Sequence, residues 1–208
     1  MEDANRKRPI GVYEYLDYDD VSEIYRPCDQ RAPEVARHVA GLIRKRMPDA
    51  RVEHVGSSAI AGCGGKGIVD LLLMYGPGRL VAARDALDSL GFQKQLGADP
   101  FPEERPLRLG SYEYEVDVFR LHVHVVAADD PEVREQLYFR DRLNASPDLV
   151  EEYIAMKRAS IAGLRTKPAN VAHNIAYNAG KEPFIRRILA ELDDSGGEAQ
   201  PCSGRENT

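Results

Sequence analysis

The sequence predicts a single α/β domain of the α+β type: a mixed β-sheet with packed helices and a helical C-terminal part. Helical and strand-like apolar periodicities alternate in the first part of the chain, whereas residues 130–192 are helical in pattern throughout. The 208 residues are 43% hydrophobic, which is enough for one core. We therefore expect an irregular lead-in over 1–28, one domain over 29–192 and a disordered acidic tail over 193–208.

The elements of the first part follow from periodicity and from the residues that interrupt it. Apolar residues recur at helical spacing before Pro48, and a nearly continuous apolar run after residue 67 is typical of a strand covered on both faces. Gly91 follows the last apolar position of a second helical pattern, as at a helix C-terminus. The expected elements are helices over 31–47 and 79–90 and strands over 51–55 and 68–75.

A hairpin and three helices complete the predicted domain. Residues 105–109 and 112–126 flank Gly110-Ser111, which we take as the hairpin turn. The second segment is long for one strand, so a bend or bulge is expected within it. The expected helix starts are Asp130-Pro131, Asp148 after Pro147, and Pro168, with a break near Gly180–Pro183 in the last helix before it ends at Leu192.

The composition excludes several classes of protein. A net charge of −6 argues against general nucleic-acid binding, which needs a basic excess. No apolar run is long enough for a membrane span, and no apolar segment typical of a signal peptide follows the charged N-terminus. The three cysteines, Cys28, Cys63 and Cys202, lack metal-site spacing and are odd in number. Reduced thiols and a cytoplasmic location are therefore expected.

The glycine-rich segment over 56–67 predicts a loop. Its glycines match the spacing of a dinucleotide fingerprint, but a strand follows them where that fingerprint requires a helix. A phosphate-binding P-loop is also excluded, because Ile60 stands where its first glycine should be and Gly67 where its hydroxyl residue should be. Two interpretations remain: a flexible linker, or a strand–loop–strand unit in which Gly56 and Ser57 hold a triphosphate.

Asp70 is the most informative single residue, because it lies within the apolar strand over 68–75. An ionised carboxylate in such a strand is costly unless a cation or hydrogen-bond donors compensate it. A metal ion or a substrate would supply that compensation. The alternative is an ion pair with Lys66 or Arg79.

His122 and His124 are two positions apart and therefore share one face of a strand. Two imidazoles in this arrangement can chelate a metal ion, and a solvated polar face is the alternative. The acidic residues Glu113, Glu115 and Asp117 also share a strand face, and Asp117 is the first choice for a third metal ligand.

Several segments resemble the GrpB family, whose members are placed in the nucleotidyltransferase superfamily. The most specific combination is Val52–Ser58, then Lys66, then Ile68–Leu71. Later segments that agree are Leu121–Val126, Leu137–Asp141 with Leu143, and Tyr177 with Lys181 and Phe184-Ile185. In order and spacing the resemblance covers residues 30–190.

The resemblance implies a nucleotidyltransferase-like fold, with Gly56, Ser57 and Ser58 in a nucleotide-phosphate loop and Asp70 at the metal position. Two departures from the family or superfamily pattern stand out. The loop has Ile60–Cys63 where a Val-Pro-Gly-Leu run is usual, and Leu72 stands where transferases of the superfamily carry a second carboxylate. His54, His124 or Asp117 would then complete the site, or the protein no longer transfers nucleotides.

Three functions are compatible with these residues. The first is a metal-dependent nucleotidyltransferase that uses Mg²⁺ or Mn²⁺ on an NTP and a small-molecule acceptor. The second is a metal-dependent hydrolase or ligase, whose histidines would favour Zn²⁺, Mn²⁺ or Ni²⁺. The third is a non-catalytic module that binds a nucleotide or another anion. The candidate catalytic residues are Glu53, His54 and Asp70, and the candidate phosphate contacts besides the loop are Lys66, Arg140, Lys157 and Lys181.

Overall fold

The computed structural model describes residues 9–14, 25–96, 100–164 and 171–195. The described helices are α1 Ala32–Arg46, α2 Leu80–Leu90, α3 Pro131–Asn144, α4 Pro147–Leu164 and α5 Val171–Ser195. The described strands are β1 Arg51–Val55, β2 Ile68–Tyr75, β3 Gln93–Lys94, β4 Leu107–Tyr114 and β5 Asp117–Ala127. None of the helices in these ranges is long and apolar enough to cross a membrane.

The five strands form one mixed sheet in the order β1-β2-β5-β4-β3. β1 is antiparallel to β2, β2 is parallel to β5, and β5 is antiparallel to β4. The parallel pair at the centre sets Asp70 opposite His122 and Leu72 opposite His124. The predicted mixed sheet with packed helices is therefore confirmed.

The two faces of the sheet pack against different helices. Alternate residues of the central strands, such as Leu71 and Val123, join the main core with α1 and α2. On the other face Leu72 joins a smaller apolar cluster with Val133 of α3. Since apolar residues of β2 are buried on both sides, its continuous apolar run is explained.

The C-terminal helices enclose the glycine loop rather than forming a separate unit. Ile60 and Cys63 of the loop are buried in one cluster with apolar residues of α3, α4 and α5. Phe184 and Ile188 anchor α5 in this cluster. α5 is continuous through Pro183, so the predicted break near Gly180–Pro183 is wrong. A proline inside a helix costs about 3 kcal/mol, which the burial of these two side chains offsets.

The hairpin prediction is wrong in its turn. β4 and β5 meet at Glu115-Val116, while Gly110-Ser111 lies inside β4 and pairs with β5. Gly110 is needed for packing, because an added Cβ would overlap Ile10 and come within 3.0 Å of the ring of Phe92. The bend or bulge expected within residues 112–126 is therefore a bend, the turn between β4 and β5.

The remaining boundaries agree closely with the sequence analysis. Asp130 caps α3 by accepting a 2.9 Å hydrogen bond from the backbone N–H of Glu132. α4 begins at Pro147, one residue before the predicted start. The predicted helix start at Pro168, most of the lead-in and the tail beyond Ser195 lie outside the described residues.

Candidate functional site

Three side chains form a candidate metal centre on the sheet face opposite α1 and α2. Oδ1 of Asp70 lies 3.5 Å from Nδ1 of His122 and 3.8 Å from Nε2 of His124. One ligand atom from each residue lies within 4.8 Å of the other two, and this is the one such group among the described residues. These separations suit a single ion bound at about 2.0–2.2 Å from each ligand atom.

The strand register explains why the three residues meet. Asp70 is opposite His122 in the parallel β2–β5 pair, and His124 follows two residues later on the same face. Burial would raise the pKa of the Asp70 carboxyl, but the two imidazoles hold that pKa well below its ordinary value. One carboxylate and two imidazoles fit a divalent transition metal.

Leu72 occupies the position at which the resemblance implies a second carboxylate. Its side chain is fully buried among apolar residues of β1, β2, β5 and α3. His124, its partner in the β2–β5 register, lies beside it on the next strand. The second and third candidate ligands therefore come from β5 rather than from β2.

The glycine loop begins directly against the candidate metal centre. Gly56 has φ +70° and ψ −170°, a conformation that is essentially restricted to glycine. A Cβ at this position would lie 2.5 Å from Oδ2 of Asp70. The backbone of the loop therefore touches the carboxylate of the site, and no larger residue fits there.

The loop is anchored by hydrogen bonds in its middle and near its end, which favours an ordered unit over a flexible linker. Gly65 exchanges two backbone hydrogen bonds of 2.7 and 2.9 Å with Arg26. The amide side chain of Asn144 accepts from the backbone N–H of Ala61 at 2.9 Å and donates to the carbonyl of Ala59 at 3.0 Å. These contacts hold the loop to the lead-in and to α3.

A buried lysine connects the loop to α4. Lys157 is 0% exposed, and its Nζ donates to Oγ of Ser57 at 3.1 Å and to the carbonyl of Gly64. The same atom lies 3.0 Å from Sγ of Cys63 and 4.3 Å from the centre of the Tyr153 ring. Burial lowers the pKa of this ammonium group below its ordinary value.

Two further lysines stand close enough to Asp70 and to each other for their charges to interact. Burial lowers the pKa of Lys66 to about 8, against the opposing effect of the Asp70 carboxylate. Burial also lowers the pKa of Lys181 to about 8, and the charges of Lys66 and Lys157 add to that effect. We call Lys66, Lys157 and Lys181 the lysine cluster, and it makes this end of the site cationic.

His54 is not brought to the candidate metal centre. It is opposite Leu71 in the β1–β2 register, so its side chain lies on the face of Leu71 and not on that of Asp70. Its Nε2 lies 3.0 Å from Oγ of Ser58, and burial lowers its pKa to about 4. The expected convergence of His54, Asp70 and His124 in one cleft is therefore wrong.

Glu53 and Arg140 hold α3 against β1. Nη1 of Arg140 donates to the Glu53 carboxylate at 3.0 Å and to the carbonyl of His54 at 2.9 Å, while its Nε donates to Asp141 at 2.7 Å. Burial would raise the pKa of Glu53, but hydrogen bonds from Arg140 and Arg51 keep it below its ordinary value. These partners give both side chains a structural role, while the catalytic role of Glu53 and the phosphate contact of Arg140 stay predictions.

Asp117 is a wrong choice for the third metal ligand. Its carboxylate pairs with Nη1 of Arg31 at 2.6 Å, at the start of β5. Asp117 lies five positions before His122 on the same strand, a distance of roughly 16 Å. An odd separation also directs the two side chains to opposite faces, so the period of the strand could have excluded it.

Sequence reasoning missed one residue at the site. The hydroxyl of Tyr13 lies 3.1 Å from Nε2 of His122, a contact that spans 109 positions. The described part of the lead-in around Tyr13 has no periodicity that would have indicated it. On the other side of the histidine pair, the ring of Phe101 lies 6.0 Å from that of His124, edge to face.

The fold and the site define an α+β protein whose candidate metal centre, one carboxylate and two imidazoles, lies beside a glycine loop and a lysine cluster. The chain belongs to the GrpB family: the sequence model described as "GrpB protein" matches residues 25–191. The UPF0157 protein of Deinococcus radiodurans is 33% identical over 153 residues, which cover 74% of this chain and 73% of that protein. The UPF0157 protein of Vibrio cholerae is 31% identical over 145 residues, covering 70% and 69%. The resemblance stated from the motifs is confirmed.

A solved structure shows the same fold. The conserved protein GrpB from Enterococcus faecalis aligns with a TM-score of 0.63 and 19% identity, over 84% of this chain and 100% of that chain. A structure of Cid1 in complex with its short product ApU aligns with a TM-score of 0.45 and 12% identity, over 66% of this chain and 42% of that chain.

Proposed function

We propose that the protein binds a divalent metal through Asp70, His122 and His124 and acts with it on a nucleotide, as a nucleotidyltransferase-like enzyme. The observation that carries this proposal is that the glycine loop connects the candidate metal centre to the lysine cluster. Gly56 lies against Asp70, and the next residue, Ser57, accepts a hydrogen bond from Lys157. A ligand seated on the loop would therefore lie next to the metal and within the electrostatic reach of the lysine cluster.

The charge distribution favours a polyanionic ligand. The lysine cluster places three cationic groups beside one carboxylate, in a chain whose net charge is −6. The like charges of Lys66 and Lys157 each lower the pKa of Lys181, which means that the protonated cluster is under electrostatic repulsion. Phosphate oxygens would relieve this repulsion, and a phosphate chain is long enough to reach the metal centre as well.

The chemistry follows from what each group supplies. A metal ion, when bound, would polarise a phosphoryl oxygen as a Lewis acid. The lysine cluster would stabilise the charge on the leaving phosphate groups. The missing side chain at Gly56 lets the loop backbone lie against the Asp70 carboxylate, so a phosphate seated on the loop would lie next to the metal. The acceptor that we propose is a small molecule.

Thermal shift of the full chain tests the binding part of the proposal. With Mn²⁺ present, an NTP at about 100 times its Kd adds about 2.7 kcal/mol of stability, or roughly 5–11 °C in Tm. The unphosphorylated nucleoside should give no comparable shift.

Lys157→Met should lower NTP affinity at least about 10-fold, or about 1.4 kcal/mol, and leave Mn²⁺ affinity unchanged. The matched control is Lys45→Met on the exposed face of α1. Equal shifts with the nucleoside, or equal losses in both variants, would contradict the proposal.

The pH dependence of binding gives a second test. Lys66 and Lys181 have pKa values of about 8, so both are protonated below that pH and lose charge above it. The phosphate charge is already complete there, because its second pKa is about 6. NTP affinity should therefore fall as pH rises above about 8, and Lys181→Met should make that dependence shallower. Affinity that is constant from pH 7 to 10 would contradict a role for these ammonium groups.

A metal-dependent hydrolase is the second candidate, and the two imidazoles favour it. Mg²⁺ prefers oxygen ligands, whereas a site with two histidines and one carboxylate suits Zn²⁺, Mn²⁺ or Ni²⁺. Metal analysis of the purified protein identifies the ion. A hydrolase would release phosphate or pyrophosphate from an NTP and water alone, a transferase would need the acceptor, and a non-catalytic module would bind without product.

A further inference from the structure

The short N-terminal segment over residues 9–14 lies along the edge of the sheet beside the candidate metal centre. Gly11 exchanges backbone hydrogen bonds of 2.8 and 3.0 Å with Ser111 of β4. The backbone N–H of Tyr13 donates to Oε1 of Gln93 in β3 at 3.1 Å. These bonds hold the backbone on both sides of Val12 and thereby fix the direction of the Tyr13 side chain.

The side chain of Tyr13 is buried on β4 and ends at the metal centre. Its ring packs with Leu107 and Leu109, and Leu109 is opposite His122 in the β4–β5 register. Its hydroxyl lies 3.1 Å from Nε2 of His122, and the two ring centres are 5.5 Å apart. Tyr13 therefore contacts the nitrogen of His122 that faces away from Asp70.

The two nitrogens of His122 have different tasks. Nδ1 is the atom that faces the Asp70 carboxylate, at 3.5 Å, so a metal in the centre would take its lone pair. The neutral imidazole must then carry its proton on Nε2, and that N–H needs an acceptor. The phenolic oxygen of Tyr13 is at the right distance to accept it. Because a hydroxyl can also donate, Tyr13 can partner either tautomer of the ring.

We propose that Tyr13 is a positioning residue for the metal centre, which fixes the ring orientation of His122 and its Nε2–H tautomer. The inference rests on the proposed function, since it assumes that the centre binds a metal. It adds a residue outside the range 25–191 that the family model matches, so the N-terminal segment is part of this chain's site. Tyr13 acts through His122 and does not itself touch the metal.

A Co²⁺ titration of the full chain, followed by visible absorption, tests the inference with Tyr13→Phe. Loss of an outer hydrogen bond of this kind costs roughly 10- to 100-fold in metal affinity. We expect a loss of that size in Tyr13→Phe, together with a shift of the Co²⁺ absorption bands. Tyr112→Phe, in the same strand pair but away from His122, is the matched control and should match the wild type.

A second measurement separates positioning from a general loss of structure. In the Zn²⁺-loaded wild type, the Nε2 proton of His122 should be visible by NMR and protected from exchange with water, and in Tyr13→Phe it should exchange rapidly. Unchanged Co²⁺ affinity and bands in Tyr13→Phe would overturn the inference while the wild type still binds metal. Equal losses in both Tyr variants would also overturn it. A wild type that binds neither Co²⁺ nor Zn²⁺ would instead overturn the proposed function, on which the inference rests.

Discussion

Asp70→Asn is expected to abolish divalent-metal binding while leaving the fold intact. The two side chains are nearly equal in size, so packing barely changes. The change removes the negative charge that stands 3.5 and 3.8 Å from the nitrogens of His122 and His124. Since outer partners alone are worth roughly 10- to 100-fold, loss of a direct ligand should lower Mn²⁺ or Zn²⁺ affinity by more than about 100-fold. Calorimetric titration of the metal-free protein measures this.

The same variant should be somewhat less stable than the wild type without metal. Burial disfavours the charged form of Lys66, and the negative charge of Asp70 opposes that effect. Removal of this charge therefore leaves the positive charges of the lysine cluster less well balanced. Relief of repulsion between carboxylates does not offset this loss, because Asp117 pairs with Arg31 and Glu53 pairs with Arg140.

The contribution of the Asp70 carboxylate to stability should depend on pH. The folded-state pKa of Asp70 is depressed, so its stabilisation is present above the unfolded pKa, about 3.9, and is lost as pH falls through the folded pKa. The control for metal binding is Asp49→Asn, which removes an exposed partner of Arg79 and should leave metal affinity unchanged. A large loss of Tm in Asp70→Asn with unaltered metal affinity would show that Asp70 is structural.

Gly56→Ala is expected to have the largest effect on stability. A non-glycine residue at φ +70° and ψ −170° costs about 1–3 kcal/mol in backbone strain. The added Cβ would also lie 2.5 Å from Oδ2 of Asp70, so either the loop or the carboxylate must move. We expect a loss of about 3 kcal/mol or more, or roughly 6 °C or more in Tm, with weakened metal binding. Thermal unfolding and metal titration measure the two effects.

Gly62→Ala separates strain from collision. Gly62 has φ +73°, but a Cβ there would have no neighbour within 4 Å. This control should lose only the conformational part, about 1 kcal/mol, and should bind metal as the wild type does. If both variants lose the same stability and keep the same metal affinity, the contact between Gly56 and Asp70 does not shape the site.

Local periodicity was sufficient for the central part of the fold. The strands over 51–55 and 68–75 have the bounds expected from their apolar patterns, because side-chain alternation and burial are decided by neighbours along the chain. The shared face of His122 and His124 followed from the same rule, with the intervening Val123 buried in the main core. The unusual placement of Asp70 in an apolar strand was also visible without coordinates.

Tertiary structure decided which of these residues meet. The β1–β2 register put His54 on the face away from Asp70, and the parallel β2–β5 register put His122 beside it. Gly110 resembles a turn in sequence, yet it lies inside a strand because Ile10 and Phe92 pack over it. No local pattern records such contacts, since they depend on segments that are distant along the chain.

The lysine cluster and Tyr13 differ in how far they could be predicted from the sequence. Lys66, Lys157 and Lys181 could be nominated from the sequence, but only the packing of α4 and α5 over the loop brings their charges together. Tyr13 could not be nominated at all, because its contact with His122 joins residues 109 positions apart. Residue chemistry along the chain thus determined the candidates, and long-range packing, which places distant side chains within bonding distance, decided the site.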